Sequence, residues 1–176
     1  SFAYSLTTQG VTSTLGLISF KDVTVDANPI VNFGLTADVN KFKNDVAGLT
    51  AGGGGDLPES ALEALQEALK LPFTAGAAKY VVLITDVEAK NKGDESDGAL
   101  VINDVINQLI AAGVTVFSVI PETGPLSADA QKELGPIATS TGGSILNING
   151  DFGTNLLSIA TKISAAQRKS RKSKTE

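Results

Sequence analysis

Two continuous β-branched runs constrain this chain more than any other feature. Tyr80-Val81-Val82-Leu83-Ile84 and Val114-Thr115-Val116-Phe117-Ser118-Val119-Ile120 suit strands covered on both faces, the condition of a parallel sheet. Between them Leu100, Ile102, Val105, Ile106, Leu109 and Ile110 recur at helical spacing, and Ala112-Gly113 stops the pattern. Strand, helix, strand is the crossover unit of an α/β domain. A doubly wound, mostly parallel sheet with helices on both faces is therefore expected.

The remaining patterns extend that unit in both directions. Phe2 and Leu6 mark the last turns of an amphipathic helix closed near Gly10. Residues 14–20 read as a strand, and residues 29–35 as its antiparallel partner at a sheet edge, where Pro29 is tolerated. Thr36, Ala37 and Asp38 offer caps for a helix over residues 40–49, with Val39, Phe42 and Val46 on one face. Pro121 closes the second apolar run, Ser127 caps a helix to about Thr139, and Pro136 kinks or divides it. Gly142-Gly143 leads to a short edge strand over 144–148. Leu156, Ile159, Ala160 and Ile163 face a last helix from near Thr154, after which the tail is expected to fray.

One stretch is built for something other than packing. Ala51-Gly52-Gly53-Gly54-Gly55-Asp56-Leu57-Pro58-Glu59-Ser60 places two carboxylates around a proline, ahead of a helix over 58–71 carried by Leu62, Leu65 and Leu69. Glycines permit tight turns and Pro58 suits a first helical turn. Read locally, Asp56 is a cap and Glu59 is favoured by the helix dipole. Read chemically, the same oxygens suit magnesium or calcium. The run over 80–84 ends in Thr85-Asp86, an acid at the carboxyl end of a strand, where open α/β sheets bind their ligands. Residues 87–98 then form a polar loop on the same rim, expected to be solvated, with Glu88 a candidate partner contact beside Gly54 and Gly55.

Composition removes whole classes of chemistry. The 176 residues suit one domain, and there is neither cysteine nor histidine. Thiol nucleophiles, histidine bases and Cys/His zinc sites are excluded, and without disulfides the redox compartment stays open. The net charge of −5 conceals a division: five tail cations from Arg168 to Lys174 oppose only Glu176, giving +4 there and −9 in the body. An acidic body argues against nucleic acid, and no apolar run approaches the roughly 20 residues that span a membrane. The tail reads as a solvated terminus, or else as a contact for an anionic partner. The first residue, Ser1, is neither a start methionine nor part of a signal-like stretch, so a processed or excised product is expected. One domain is assigned to residues 1–167 and a basic tail to 168–176.

Gly-Gly-Gly-Asp-x-Pro-Glu opening a helix, followed by an apolar strand ending in Thr85-Asp86, resembles a von Willebrand factor type A domain. The Asp56-x-Pro58-Glu59 form is similar to the integrin β I-like branch. That resemblance covers nearly the whole chain. It implies a metal-ion-dependent adhesion site, in which a divalent cation, magnesium or else calcium, is completed by an acidic side chain of a protein ligand. By similarity Glu59 would face the metal, Asp86 would bind it through water, and Asp56 with the Pro58 carbonyl would belong to a neighbouring calcium site. Gly54 stands where that second site has an asparagine, which leaves the second cation in doubt.

The resemblance also implies a central first strand ending in Asp-x-Ser-x-Ser, and no such motif occurs here. The strand would lie between those over 14–20 and 80–85. An empty slot there would expose two rows of backbone groups. A second chain or an N-terminal fragment is expected to supply it, the alternative being a rearranged sheet with no metal site.

Three functions follow. The first is a non-enzymatic adhesion module at an extracellular or cell-surface location, binding through the metal. The second is a structural subunit of a filament or complex using the fold without a metal. The third is a nucleotide-binding enzyme, for which the glycine loop lacks both Gly-x-Gly-x-x-Gly and a following Gly-Lys-Ser/Thr.

Overall fold

The computed structural model describes residues 2–53, 57–92 and 98–172, with side chains through Lys169. The elements run α1 (Phe2–Thr8), β1 (Leu15–Phe20), β2 (Ile30–Thr36), α2 (Val39–Ala47), α3 (Ala61–Leu69), β3 (Lys79–Ile84), α4 (Ile102–Ala111), β4 (Val114–Ile120), α5 (Ser127–Ser140), β5 (Ile145–Asn147) and α6 (Phe152–Lys172). This is the expected α/β order.

The strands divide into two sheets. β1 and β2 pair antiparallel from Leu15 opposite Thr36 to Phe20 opposite Ile30, with a register shift between Gly16 and Ile18. β3, β4 and β5 pair parallel in that order. Among the described residues no ladder joins β1 to β3.

β4 is the centre of the larger sheet, and its side chains alternate between two cores. Val114, Val116 and Ile120 join Leu62 and Leu65 of α3, Val105 and Leu109 of α4, and Leu134 and Ile137 of α5. Phe117 and Val119 point the other way, onto Leu6 of α1, Leu15 of β1 and Ile159 and Ile163 of α6. Ser118 is fully buried on the first face, where its hydroxyl donates to the Leu134 carbonyl at 3.0 Å. Helices thus cover both faces of this sheet.

β3 departs from expectation. A run of this kind suits a strand covered on both sides, yet only Leu83 is buried, and Ile84 is 41 % exposed. The reason is its position. β4 pairs along one edge, and along the other no described strand supplies hydrogen bonds or side-chain cover.

Several element ends also differ. α3 starts at Ala61 rather than Pro58, with Ser60 at the cap position, so neither Pro58 nor Glu59 lies in the first helical turn. α5 is one helix through Pro136, and its cap residue is Leu126; the Ser127 hydroxyl donates instead to the Gly124 carbonyl. α6 continues to Lys172 through residues expected to fray. α2 is capped as expected, Asp38 Oδ1 accepting from the Asn40 and Lys41 amides at 2.8 and 3.2 Å.

Candidate functional site

At the carboxyl ends of β1 and β3 three segments are stitched together. The first is the turn after β1. Asp22 Oδ1 accepts both the Thr24 amide and the Thr24 hydroxyl, each at 2.7 Å, and the Asp22 amide donates to Asp26 Oδ2 at 3.2 Å. The Val23 amide donates to Ser60 Oγ at 2.9 Å, which ties the turn to the start of α3. Ser60 is therefore engaged with the turn and makes no side-chain cap for its own helix.

Gly53 lies against the same turn. A Cβ on Gly53 would stand 2.5 Å from Asp26 Oδ1, and its φ of +95° is one that side chains rarely adopt. Only glycine meets both conditions.

The third segment follows β3. The Glu59 amide donates to the Glu88 carbonyl at 3.2 Å and the Lys90 amide to the Glu59 carbonyl at 2.8 Å, a parallel bridge between Glu59 and Ala89. From α5, Glu133 Oε2 accepts the Ala89 amide at 3.1 Å. Val87, Ala89 and Lys90 are 4 %, 0 % and 2 % exposed. The expectation of a solvated loop is corrected for these residues: alternate apolar side chains and backbone pairing draw the segment inward. Residues 93–97 lie outside the described residues.

Lys90 is buried because it meets an anion. Its Nζ lies 3.1 Å from Asp22 Oδ2, and Asp22 is itself fully buried. Beside the pair stands Glu63, in the first turn of α3. Burial raises its pKa above the ordinary carboxylate range; the Asp22 charge adds to this, while the Lys90 charge opposes it. Both Glu63 carboxyl oxygens are buried and have no hydrogen-bond partner among the described residues. Glu88 Oε2 is in the same condition.

The site residues expected from the sequence are thus partly assembled. Glu59 and Glu88 sit on paired segments, Pro58 is buried, and the Leu57–Pro58 bond is cis. Asp86 is exposed just past β3, where the Thr85 amide still donates to the Val119 carbonyl. Gly54, Gly55 and Asp56 lie outside the described residues. Sequence reasoning missed Asp22, Glu63 and Lys90. Nothing in the local sequence marks Lys90, since alternation with Val87 and Ala89 would turn residue 90 to the other face.

Carboxylate oxygens are the donors that magnesium and calcium take, but six or more ligands are needed. Among the described residues no group of three or more His, Cys, Asp or Glu side chains is placed to hold a metal ion. The residues present fit such a site only in part.

Comparison with known proteins agrees with the architecture. The family model described as von Willebrand factor A domain matches residues 4–150. Among solved structures, the pilus adhesin SpaC from Lactobacillus rhamnosus GG superposes with a TM-score of 0.65 at 13% identity, covering 93% of this chain and 26% of that one. The chain therefore spans about a quarter of that protein's length. No curated protein matches.

Proposed function

This chain belongs to the von Willebrand factor A domain family, and on that premise we propose that it is a non-enzymatic adhesion module whose binding rim is completed by an inserted strand and a divalent cation. The observation that carries the proposal is β3. Its sequence is that of a central strand, yet it stands at an open edge, and no described ladder joins its sheet to that of β1. A strand placed there pairs with both and covers Val81, Val82 and Ile84.

That strand, whether from a second chain, an N-terminal fragment or a segment preceding these residues, carries Asp-x-Ser-x-Ser at its end and delivers those side chains beside Glu59 and Asp86. Magnesium is the proposed ion, with calcium the alternative, and Asp56 and the Pro58 carbonyl serve a neighbouring calcium site. Gly54, Gly55 and Glu88 form the rim that meets the partner. The partner is a protein offering an acidic side chain, at an extracellular or cell-surface location. No helix of the described residues is long and apolar enough to cross a membrane. The integrin β I-like form of the Asp-x-Pro-Glu stretch supports the same assignment.

The second reading is a structural subunit of a filament or multiprotein complex that uses the fold without a metal. One experiment separates the two. Natively purified protein is analysed for chain content, and partner binding is measured with magnesium and with a chelator. Co-purification of an Asp-x-Ser-x-Ser strand together with chelator-sensitive binding supports adhesion. A partner interface that survives chelation supports the structural reading and overturns the first.

A further inference from the structure

The two sheets share no ladder among the described residues, yet a side-chain contact joins the segment after β1 to the segment after β3. Lys90 lies beyond β3 and Asp22 beyond β1, with Nζ and Oδ2 3.1 Å apart and side-chain exposures of 2% and 0%. We propose that these two side chains condense into an intramolecular amide, a covalent strut between the segment that follows β1 and the segment that follows β3.

The surroundings suit that chemistry. One proton passed across the contact converts the ion pair into an amine and a carboxylic acid, and exclusion of water removes the solvation that otherwise favours the charged form. The amine lone pair attacks Asp22 Cγ. Negative charge gathers on Oδ1, which already accepts the Thr24 amide and hydroxyl at 2.7 Å each, donors aimed where an oxyanion forms. The Cγ–Oδ2 bond then breaks and that oxygen leaves as water. Glu63, whose buried carboxyl oxygens stand beside the pair, relays one proton from the nitrogen to the departing oxygen. One C–N bond forms, one C–O bond breaks, one water is released, and nothing is oxidised or reduced. The fixed contact supplies the proximity that makes an otherwise slow amide formation feasible. A dry site also opposes hydrolysis.

The inference is independent of any metal or binding partner. It is tested by intact mass of the natively purified, folded protein, measured after denaturation, and by tryptic mapping. The expected product is lighter than its sequence mass by one water. It yields a branched peptide joining residues 22–41 to residues 80–92, uncut after Lys90. Asp22→Asn gives the same branched peptide with loss of ammonia instead, a change that a merely structural role for the pair does not produce. Lys90→Arg gives no mass loss. Glu63→Gln slows the loss of water at least tenfold in freshly refolded protein. Folded wild-type protein at its full sequence mass, with Lys90 open to trypsin after denaturation, overturns the proposal.

Discussion

Lys90 and Asp22, far apart in sequence, meet at 3.1 Å in the interior and connect the segments beyond two strands that have no described ladder between them. Removing one member leaves the other buried without its counter-charge or its bond. Lys90→Met is therefore expected to cost about 3–5 kcal/mol, read from denaturant unfolding. The paired change Lys90→Met with Asp22→Leu should recover the part of that loss that comes from the buried unmatched charge, but not the part that comes from the amide. If the single variant unfolds like the wild type, the contact does not hold the two segments together.

Glu63 gives a pH dependence whose sign is fixed by its environment. Burial raises its folded-state pKa above the unfolded value, so the folded state holds a proton that the unfolded chain has lost. Its contribution is complete below the unfolded value and is lost as pH rises through the folded one. Glu63→Gln, which imitates the neutral acid, should flatten that decline. Identical stability profiles for the two proteins would show that Glu63 titrates normally.

Glu59 and Asp86 bear the adhesion proposal. Glu59→Gln and Asp86→Asn should each weaken magnesium-dependent partner binding by about tenfold or more, about 1.4 kcal/mol per decade, measured in the strand-completed assembly. Binding that is unchanged by either substitution would remove these acids from the site.

Two glycines should respond in opposite directions. A Cβ on Gly143 would sit 1.7 Å from the Val116 carbonyl oxygen, a clash with the central strand's backbone. Gly143→Ala should cost about 1–3 kcal/mol. Gly48, at the end of α2 with φ −81° and only ordinary contacts at 3.5 Å, should accept alanine with a gain of about 0.4–1 kcal/mol. Equal effects at the two positions would contradict the backbone geometry of the β4–β5 connection.

Much of the fold was readable because periodicity reports burial. The run at Val114–Ile120 is buried along nearly its whole length, as its composition requires. The α2 cap was readable for a similarly local reason, a side chain meeting amides two and three residues away. The helix after the glycine loop was readable in its apolar spacing but not in its start. Glu59 spends its backbone on Glu88 and Lys90, partners remote in sequence, so the first helical turn begins later than Pro58 suggests.

The candidate site divides along the same line. Glu59 and Asp86 stood out because their neighbours in sequence identify them: a proline and glycines for one, a strand end for the other. Lys90 and Glu63 carry no such mark, and a lysine in a polar stretch is ordinarily solvated.

The sequence by itself determined the order of strands and helices, the two-sided burial of β4 and the acids at the strand ends, since each depends on local spacing and side-chain type. Only the tertiary structure decided that β3 stands at an edge, that Lys90 is enclosed and that Asp22 and Glu63 share its surroundings. Those facts depend on which remote segments come together, and no periodicity within a segment records the charge or the strand that another brings to it.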